Sequence, residues 1–387
     1  MSGRLLRHIC TGAVIGSLLT AAPWAQAPAQ AAPGPGERPV SELLTDLQRL
    51  YQSAEEATET YNATEEKLKK QRAKAADLGK KLAKARASVR DSRGEAGRFA
   101  RQQYQGASEL SPYVRLLLAR DPQHAADQGH VIRRVAAGRA ATVQRLVGGE
   151  KKADELAGAA KKALDSQVAL AARQKKQRDE VDGQLREVEE LLASLSVEQL
   201  AALRQAEEAG TAEAQRQFLA SGALSGGPAS RAPSRQGGTA LDFAVRQIGR
   251  PYVWGAEGPD AYDCSGLTSE AWAHAGHEIP RTSQEQWAEL PRIPLAELRP
   301  GDLVVYFPKA THVAIYLGDG MVVQAPRPGS RVKVSPIAAN PVLGAVRPDP
   351  GGRAVPGYVP PKLPEGATDG SDLGFGGDQA PGATDSR

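Results

Sequence analysis

Cys264 stands in the segment Tyr262-Asp263-Cys264-Ser265-Gly266, directly before an apolar helical pattern of Leu267, Ala271, Trp272 and Ala275. A thiol at a helix N-terminus feels the positive end of the macrodipole, which favours thiolate. That effect is worth roughly 0.3–1 kcal/mol, less than one pKa unit. An ordinary thiol, with a pKa of about 8.5, is only slightly ionised at neutral pH. Nucleophilic chemistry at Cys264 therefore requires a second partner, normally an imidazole.

The chain has six histidines. His8 belongs to a leader-like segment, and His124 and His130 to a helical region far from Cys264 in sequence. His274 and His277 follow Cys264 on or just beyond its own helix; ten residues along a helix is about 15 Å, out of reach of the thiol. His312, at the start of an apolar strand pattern, remains by elimination. No His-Glu-x-x-His, His-x-His or paired-Cys spacing is present, so no metal site and no cofactor is expected.

The elements that must position this pair occupy the later part of the chain. Its 387 residues suggest two or three units, and aromatics are only 5%, with three of the four Trp beyond residue 250. The formal charge is +4, two of which sit on Arg4 and Arg7, so a nucleic-acid partner is not expected. Residues 1–31 read as a secretory signal: Arg4, Arg7 and His8 form a basic start, 9–22 is apolar, and Ala29-Gln30-Ala31 fits a cleavage site. The apolar run is short against the roughly 20 residues of a span, so a secreted protein is expected. Cys10 would leave with the leader, and Cys264 would be the remaining thiol.

Residues 32–40 read as a disordered start. From 41 a three-four spacing sets in, through Leu43, Leu47, Leu50, Ala54, Ala57, Tyr61, Leu68, Leu78 and Leu82 to Val89 and Phe99, the seam of a coiled coil. It breaks near 106–127, where Ser111-Pro112, Asp121-Pro122 and Gly129 interrupt it around the apolar cluster Tyr113, Val114, Leu116, Leu117 and Leu118. That cluster is read as a hairpin tip, either a packed turn or a docking surface for a partner. A second helical stretch returns over 131–218, with Gly148-Gly149 and Gly183 as candidate interruptions. Residues 41–220 are thus a coiled-coil helical hairpin, with an intermolecular dimer as the alternative. Residues 221–238 read as a flexible linker and 351–387 as a disordered tail. Between them, 239–350 has the mixed pattern of a small α+β domain. A helix is expected over 240–248, capped by Thr239, and strands near 303–307, 312–317, 321–324 and 342–346; Gly318-Asp319-Gly320 is a hairpin signal.

Five ordered motifs in this domain resemble those of the NlpC/P60 cysteine peptidases: Pro251-Tyr252-Val253-Trp254-Gly255, Tyr262-Asp263-Cys264-Ser265-Gly266-Leu267, Pro280-Arg281-Thr282-Ser283, Leu298-Arg299-Pro300-Gly301-Asp302-Leu303 and His312-Val313-Ala314-Ile315-Tyr316-Leu317-Gly318. The resemblance implies a papain-like α+β fold, the nucleophile's helix packed on an antiparallel sheet that bears the histidine. It implies a peptidoglycan endopeptidase acting on stem peptides, often between D-glutamate and the diamino acid. The layout of signal, coiled coil and this domain is similar to that of secreted cell-wall hydrolases of Gram-positive bacteria. Similar coil-bearing hydrolases are controlled through their rods by membrane complexes, which makes such a complex a candidate regulator acting at the coiled-coil tip.

By this resemblance Cys264 is the nucleophile and His312 the general base. The third position, commonly histidine in the family, is Gln324 in Val322-Val323-Gln324-Ala325-Pro326. Its amide oxygen accepts a hydrogen bond from the imidazole but cannot share charge. Tyr252 matches a family tyrosine near the thiol, and Asp263 and Ser265 match positions that bind the free amine of a stem peptide. Asp263 also reads as a helix N-cap, and Trp254 as core. Arg281 and Ser283 are the remaining substrate-binding candidates, Arg281 either for a substrate carboxylate or as a structural ion pair. Two other functions stand beside the endopeptidase: a coiled-coil scaffold with a weak catalytic domain, and an amidase cutting the sugar–peptide bond.

Overall fold

A computed structural model of the chain describes residues 38–105, 114, 117–119, 121–225 and 232–372. The leader, part of the hairpin tip with Tyr113 and Leu116, residues 226–231 and residues 373–387 lie outside the described residues.

Two long helices, α1 (Val40–Gln105) and α2 (Pro122–Ala193), pair with each other. Tyr61 meets Gln174, Gln71 bonds the Ala163 carbonyl, and Arg93 pairs with Glu150. The partner on α2 falls as the position on α1 rises, so the helices run antiparallel within one chain. Of the expected breakers, Pro122 marks a helix boundary and three glycines do not. Pro122 opens α2, where its missing N–H costs nothing, and Asp121 caps it by accepting from the His124 N–H at 2.7 Å. Gly148, Gly149 and Gly183 lie inside the helix; a Cβ on Gly149 would stand 3.1 Å from Val89 Cγ2, so the glycine permits close approach. The helix stops instead at Ser194. A capping box of Ser196 and Gln199 then starts α3 (Val197–Ala220). Among the described residues, no helix is long and apolar enough to cross a membrane.

The C-terminal domain carries α4 (Arg235–Arg246), α5 (Cys264–His274), α6 (Ser283–Glu289) and six strands. These are β1 (Arg292–Ile293), β2 (Leu303–Tyr306), β3 (His312–Gly318), β4 (Met321–Gln324), β5 (Lys333–Pro336) and β6 (Val342–Val346). The sheet is antiparallel throughout, in the order β1-β6-β2-β3-β4-β5. Alternation along the strands makes two cores. Leu303, Val305, Val313, Ile315 and Val323 pack with α4 and α5, through Leu241, Leu267 and Trp272. Val304, Tyr306, Ala314, Tyr316 and Val322 face the other way, against Phe218 and Leu224 at the end of the hairpin.

The domain starts earlier than its composition suggested. Ser234, not Thr239, caps α4, accepting from the Gly237 N–H at 2.8 Å. Gly237 and Gly238 looked like linker but are packed: a Cβ on Gly301 would lie 2.6 Å from Gly237 Cα. Within residues 351–372, expected to be disordered, Ala367 and Asp372 are packed into the domain. The Val334 N–H bonds the Ala367 carbonyl at 2.7 Å, and Ala367 and Asp372 are buried. The edge strand β5 thus finds a partner for its unpaired backbone, which composition alone does not reveal.

Gly301 has φ +97, a left-handed conformation, as well as that close contact. Gly301→Ala is therefore expected to cost roughly 2–4 kcal/mol, strain plus overpacking. Thermal unfolding of the full chain checks it, and an unchanged midpoint would contradict the packing described.

Candidate active site

Cys264 is the first residue of α5 and is buried. Asp263 holds that helix start, accepting from the Gly266 N–H at 2.6 Å and the Gly255 N–H at 2.9 Å. A side chain at 266 would strike the Ala256 carbonyl at 2.2 Å, so glycine is required there. Arg281 pairs with Asp263 at 2.8 Å and Glu257 at 2.7 Å and donates to Ser265 Oγ at 2.8 Å. Of the two readings of Arg281, the structural ion pair is the one present. Asp263 is likewise filled by backbone N–H groups and Arg281, as a cap.

His312 opens β3, fully buried, with Nε2 2.7 Å from Gln324 Oε1. The Val313 N–H, next along the strand, is aimed at the Cys264 thiol. Tyr252 is buried beside the thiol, whose charge would raise the phenol further above its ordinary pKa than burial alone does. The sequence-predicted residues Tyr252, Asp263, Cys264, Ser265, Arg281, Ser283, His312 and Gln324 thus converge on one cleft.

α1 lies across this cleft. Glu59 Oε1 is 3.8 Å from Cys264 Sγ and accepts from Ser265 Oγ at 2.7 Å. Its Oε2 accepts from the Ser283 N–H at 2.7 Å and lies 2.9 Å from Ser283 Oγ. One turn earlier, Glu55 Oε1 is 3.6 Å from His312 Nδ1. Residues four apart on a helix are neighbours on one face, so the thiol and the imidazole meet the same turn of α1. Asn62 donates to Asp263 Oδ2 at 3.0 Å, Glu56 pairs with Lys309 at 2.7 Å, and Tyr61 sets its edge on Trp254 with ring centroids 4.9 Å apart.

This cover sets the electrostatics. Burial, then the carboxylates of Glu59, Asp263 and Glu55, push the Cys264 thiol well above its ordinary pKa; only the Val313 N–H opposes them. Burial pushes His312 down to about 4 despite its bond to Gln324. Thiol and imidazole are therefore both neutral while α1 is in place. Burial raises Glu55 to about 8 and also raises Glu59, in whose case the Asp263 charge adds to the effect. Among the described residues no cluster suited to a metal ion is present. Sequence reading missed Glu55, Glu59 and Asn62, which look like the solvated flank of a coiled-coil seam, and Asp372, whose amide partner is Gln324.

The model of the NlpC/P60 family matches residues 249–344. A probable endopeptidase of Corynebacterium glutamicum is 43% identical over 120 residues, 31% of this chain and 57% of that protein. The peptidoglycan endopeptidase RipA of Mycolicibacterium smegmatis is 37% identical over 126 residues, 28% of this chain and 25% of that protein. The chain thus spans little more than half the length of these curated relatives at most. The crystal structure of the NlpC/p60 domain of the peptidoglycan hydrolase SagA is 33% identical over 29% of this chain and 97% of that one, with a TM-score of 0.28. The chain thus carries an NlpC/P60 family domain, the one that holds Cys264 and His312.

Proposed function

We propose that the protein is a secreted endopeptidase of peptidoglycan stem peptides, acting at the cell wall, with Cys264 as nucleophile and His312 as general base. The observation that carries this is that a helix-N-terminal thiol and a Gln324-held imidazole meet one stretch of α1, Glu59 lying 3.8 Å from Cys264 Sγ and on Ser265 and Ser283, and Glu55 lying 3.6 Å from His312 Nδ1. His312 takes the thiol proton, the thiolate attacks the scissile carbonyl, and the imidazolium protonates the departing amine. Water then hydrolyses the thioester. Tyr252 supports the developing oxyanion, and the Ser283 N–H and Oγ with Ser265 Oγ bind the stem peptide. The bond cut is the one between D-glutamate and the diamino acid.

We further infer that α1 holds this enzyme closed. Glu59 occupies the donors a substrate would use, and the neutral Cys264 and His312 under α1 form no ion pair. Lifting α1 rehydrates both groups and removes two carboxyls from beside them, which favours thiolate and imidazolium. The far end of the hairpin, where Leu117 and Leu118 are exposed, is where a membrane-complex regulator would pull.

Cys264→Ala is expected to abolish release of muropeptides from purified walls, and Glu59→Arg in the full chain to raise it at least about tenfold, a charge with no place in the buried cleft. Product masses decide the bond: fragments beginning at the diamino acid support the endopeptidase, intact stem peptides freed from sugar an amidase, and undiminished release by Cys264→Ala discards the enzyme.

Closure also depends on pH. Glu55 keeps its proton to about 8 when covered, against an ordinary 4.5, so the closed form binds more protons than the open one. Glu55 alone favours closure at low pH and ceases to do so as pH rises towards about 8, whereas His312, held near 4 when covered against an ordinary 6.5, takes up a proton on opening and opposes this below about 6.5; closure therefore weakens most clearly between about pH 6.5 and 8, by up to about tenfold per unit for each proton released. Hydrogen-exchange protection of the Ser283 amide should fall over this range, less steeply in Glu55→Gln. Constant protection from pH 5 to 8 would refute the linkage.

A further inference from the structure

Gln324 ends β4 with its amide held between two groups. Oε1 lies 2.7 Å from His312 Nε2, and Nε2 donates to Asp372 Oδ1 at 3.2 Å. The two ends of an amide are alike in shape and opposite in hydrogen bonding, so an isolated glutamine can present either one to an imidazole. The difference decides the chemistry. If the amide oxygen faces His312, the ring carries its proton on Nε2, and the Nδ1 lone pair, on the side of Glu55 and the cleft, is free to take the thiol proton. If the NH2 end faces His312, Nε2 must accept, the proton sits on Nδ1, and the base is lost.

A carboxylate settles the matter, because it only accepts and so admits only the NH2 end of Gln324. Asp372 is buried, receives Ser335 Oγ and stands 3.3 Å from Lys333 Nζ, a buried ion pair. Lys333 in turn reaches the Gly370 carbonyl, and Ser371 bonds Glu207 of α3, so the tail is tied down on both sides of the site. The remaining polar surroundings of His312 are Glu55 from α1, Arg327 beyond β4, Asp263 before α5 and the Tyr306 ring on β2. None of them touches the Gln324 amide among the bonds described.

We propose that Asp372 is a positioning residue of the Cys264–His312 pair: through Gln324 it fixes His312 in the Nε2–H tautomer, supplying from the C-terminal segment the direction that a bare glutamine lacks. This rests on the reading of Cys264 and His312 as catalytic. It also explains why a neutral third residue serves: flipping Gln324 would set its oxygen against the Asp372 carboxylate, so the wrong tautomer is disfavoured at both ends of the amide.

The test is nitrogen-15 NMR of histidine-labelled full chain at pH 7, with the His312 signal assigned through His312→Gln. The wild type should show His312 as the Nε2–H tautomer alone. Asp372→Leu, and a chain ending at Gly370 as a second variant, should move it to a mixture with Nδ1–H. Asp372→Asn keeps an acceptor oxygen and should retain the wild-type tautomer. In muropeptide kinetics Asp372→Leu should lower kcat about tenfold with KM unchanged, the low end of what partners one shell out contribute, and Asp372→Asn should restore it. Persistence of the wild-type tautomer in both Asp372→Leu and the shortened chain overturns the proposal. If neither the wild type nor Glu59→Arg attacks walls while the tautomer still switches, the peptidase reading fails and the hold of Asp372 on His312 stands.

Discussion

The contact on which the structure turns is the Glu59 carboxyl lying against the Ser283 N–H and the Ser265 hydroxyl, beside the Cys264 thiol. It fixes the register of a 66-residue helix on the domain it covers, together with Asn62 on Asp263 and Glu56 on Lys309. A buried carboxylate without a full counter-charge is costly, and here two lie one turn apart. Burial raises Glu55 to about 8 and raises Glu59 as well, which lessens the charge the cleft must bear. Closure is therefore strong enough to hide the site and weak enough to be undone, since each group pulled back to water regains its hydration.

The same donors serve two occupants. Ser265 and Ser283 bind the helix in this state and, in the proposed reaction, the stem peptide. Inhibition and recognition then compete for one set of hydrogen bonds, and a substrate cannot enter while Glu59 stays. The electrostatics work in the same direction. Thiol and imidazole are both forced neutral under α1, whereas the proposed reaction needs them as thiolate and imidazolium. Asp263 and Arg281 are paired with each other and hold the start of α5.

Much of the domain was legible because its signals are local. Asp263 before Cys264 marks a helix start, and Gly318-Asp319-Gly320 between apolar runs marks the β3–β4 turn. The strands at 303–306, 312–318, 321–324 and 342–346 follow from short apolar runs bounded by turn residues. What escaped depends on distant partners. Gly237 reads as linker until Gly301 is packed on it, and the residues up to Asp372 read as disordered until the edge of β5 and the Gln324 amide are seen to need them. Glu55 and Glu59 differ in no local way from the other acids of α1; only the cleft more than 200 residues away gives them a role. The end of α2 was missed although Ser196 and Gln199 carry a capping-box spacing, because the apolar periodicity runs on past it.

The central claim is that a thiol poised by His312 is hidden under α1. Its most direct test is the rate at which a small neutral alkylating agent modifies Cys264 in the full chain at pH 7. Slow modification is expected in the wild type, with a large acceleration in Glu59→Arg that is lost again when His312→Ala is added. A wild-type rate equal to that of an unfolded thiol, unmoved by either substitution, would contradict both the cover and the pair beneath it.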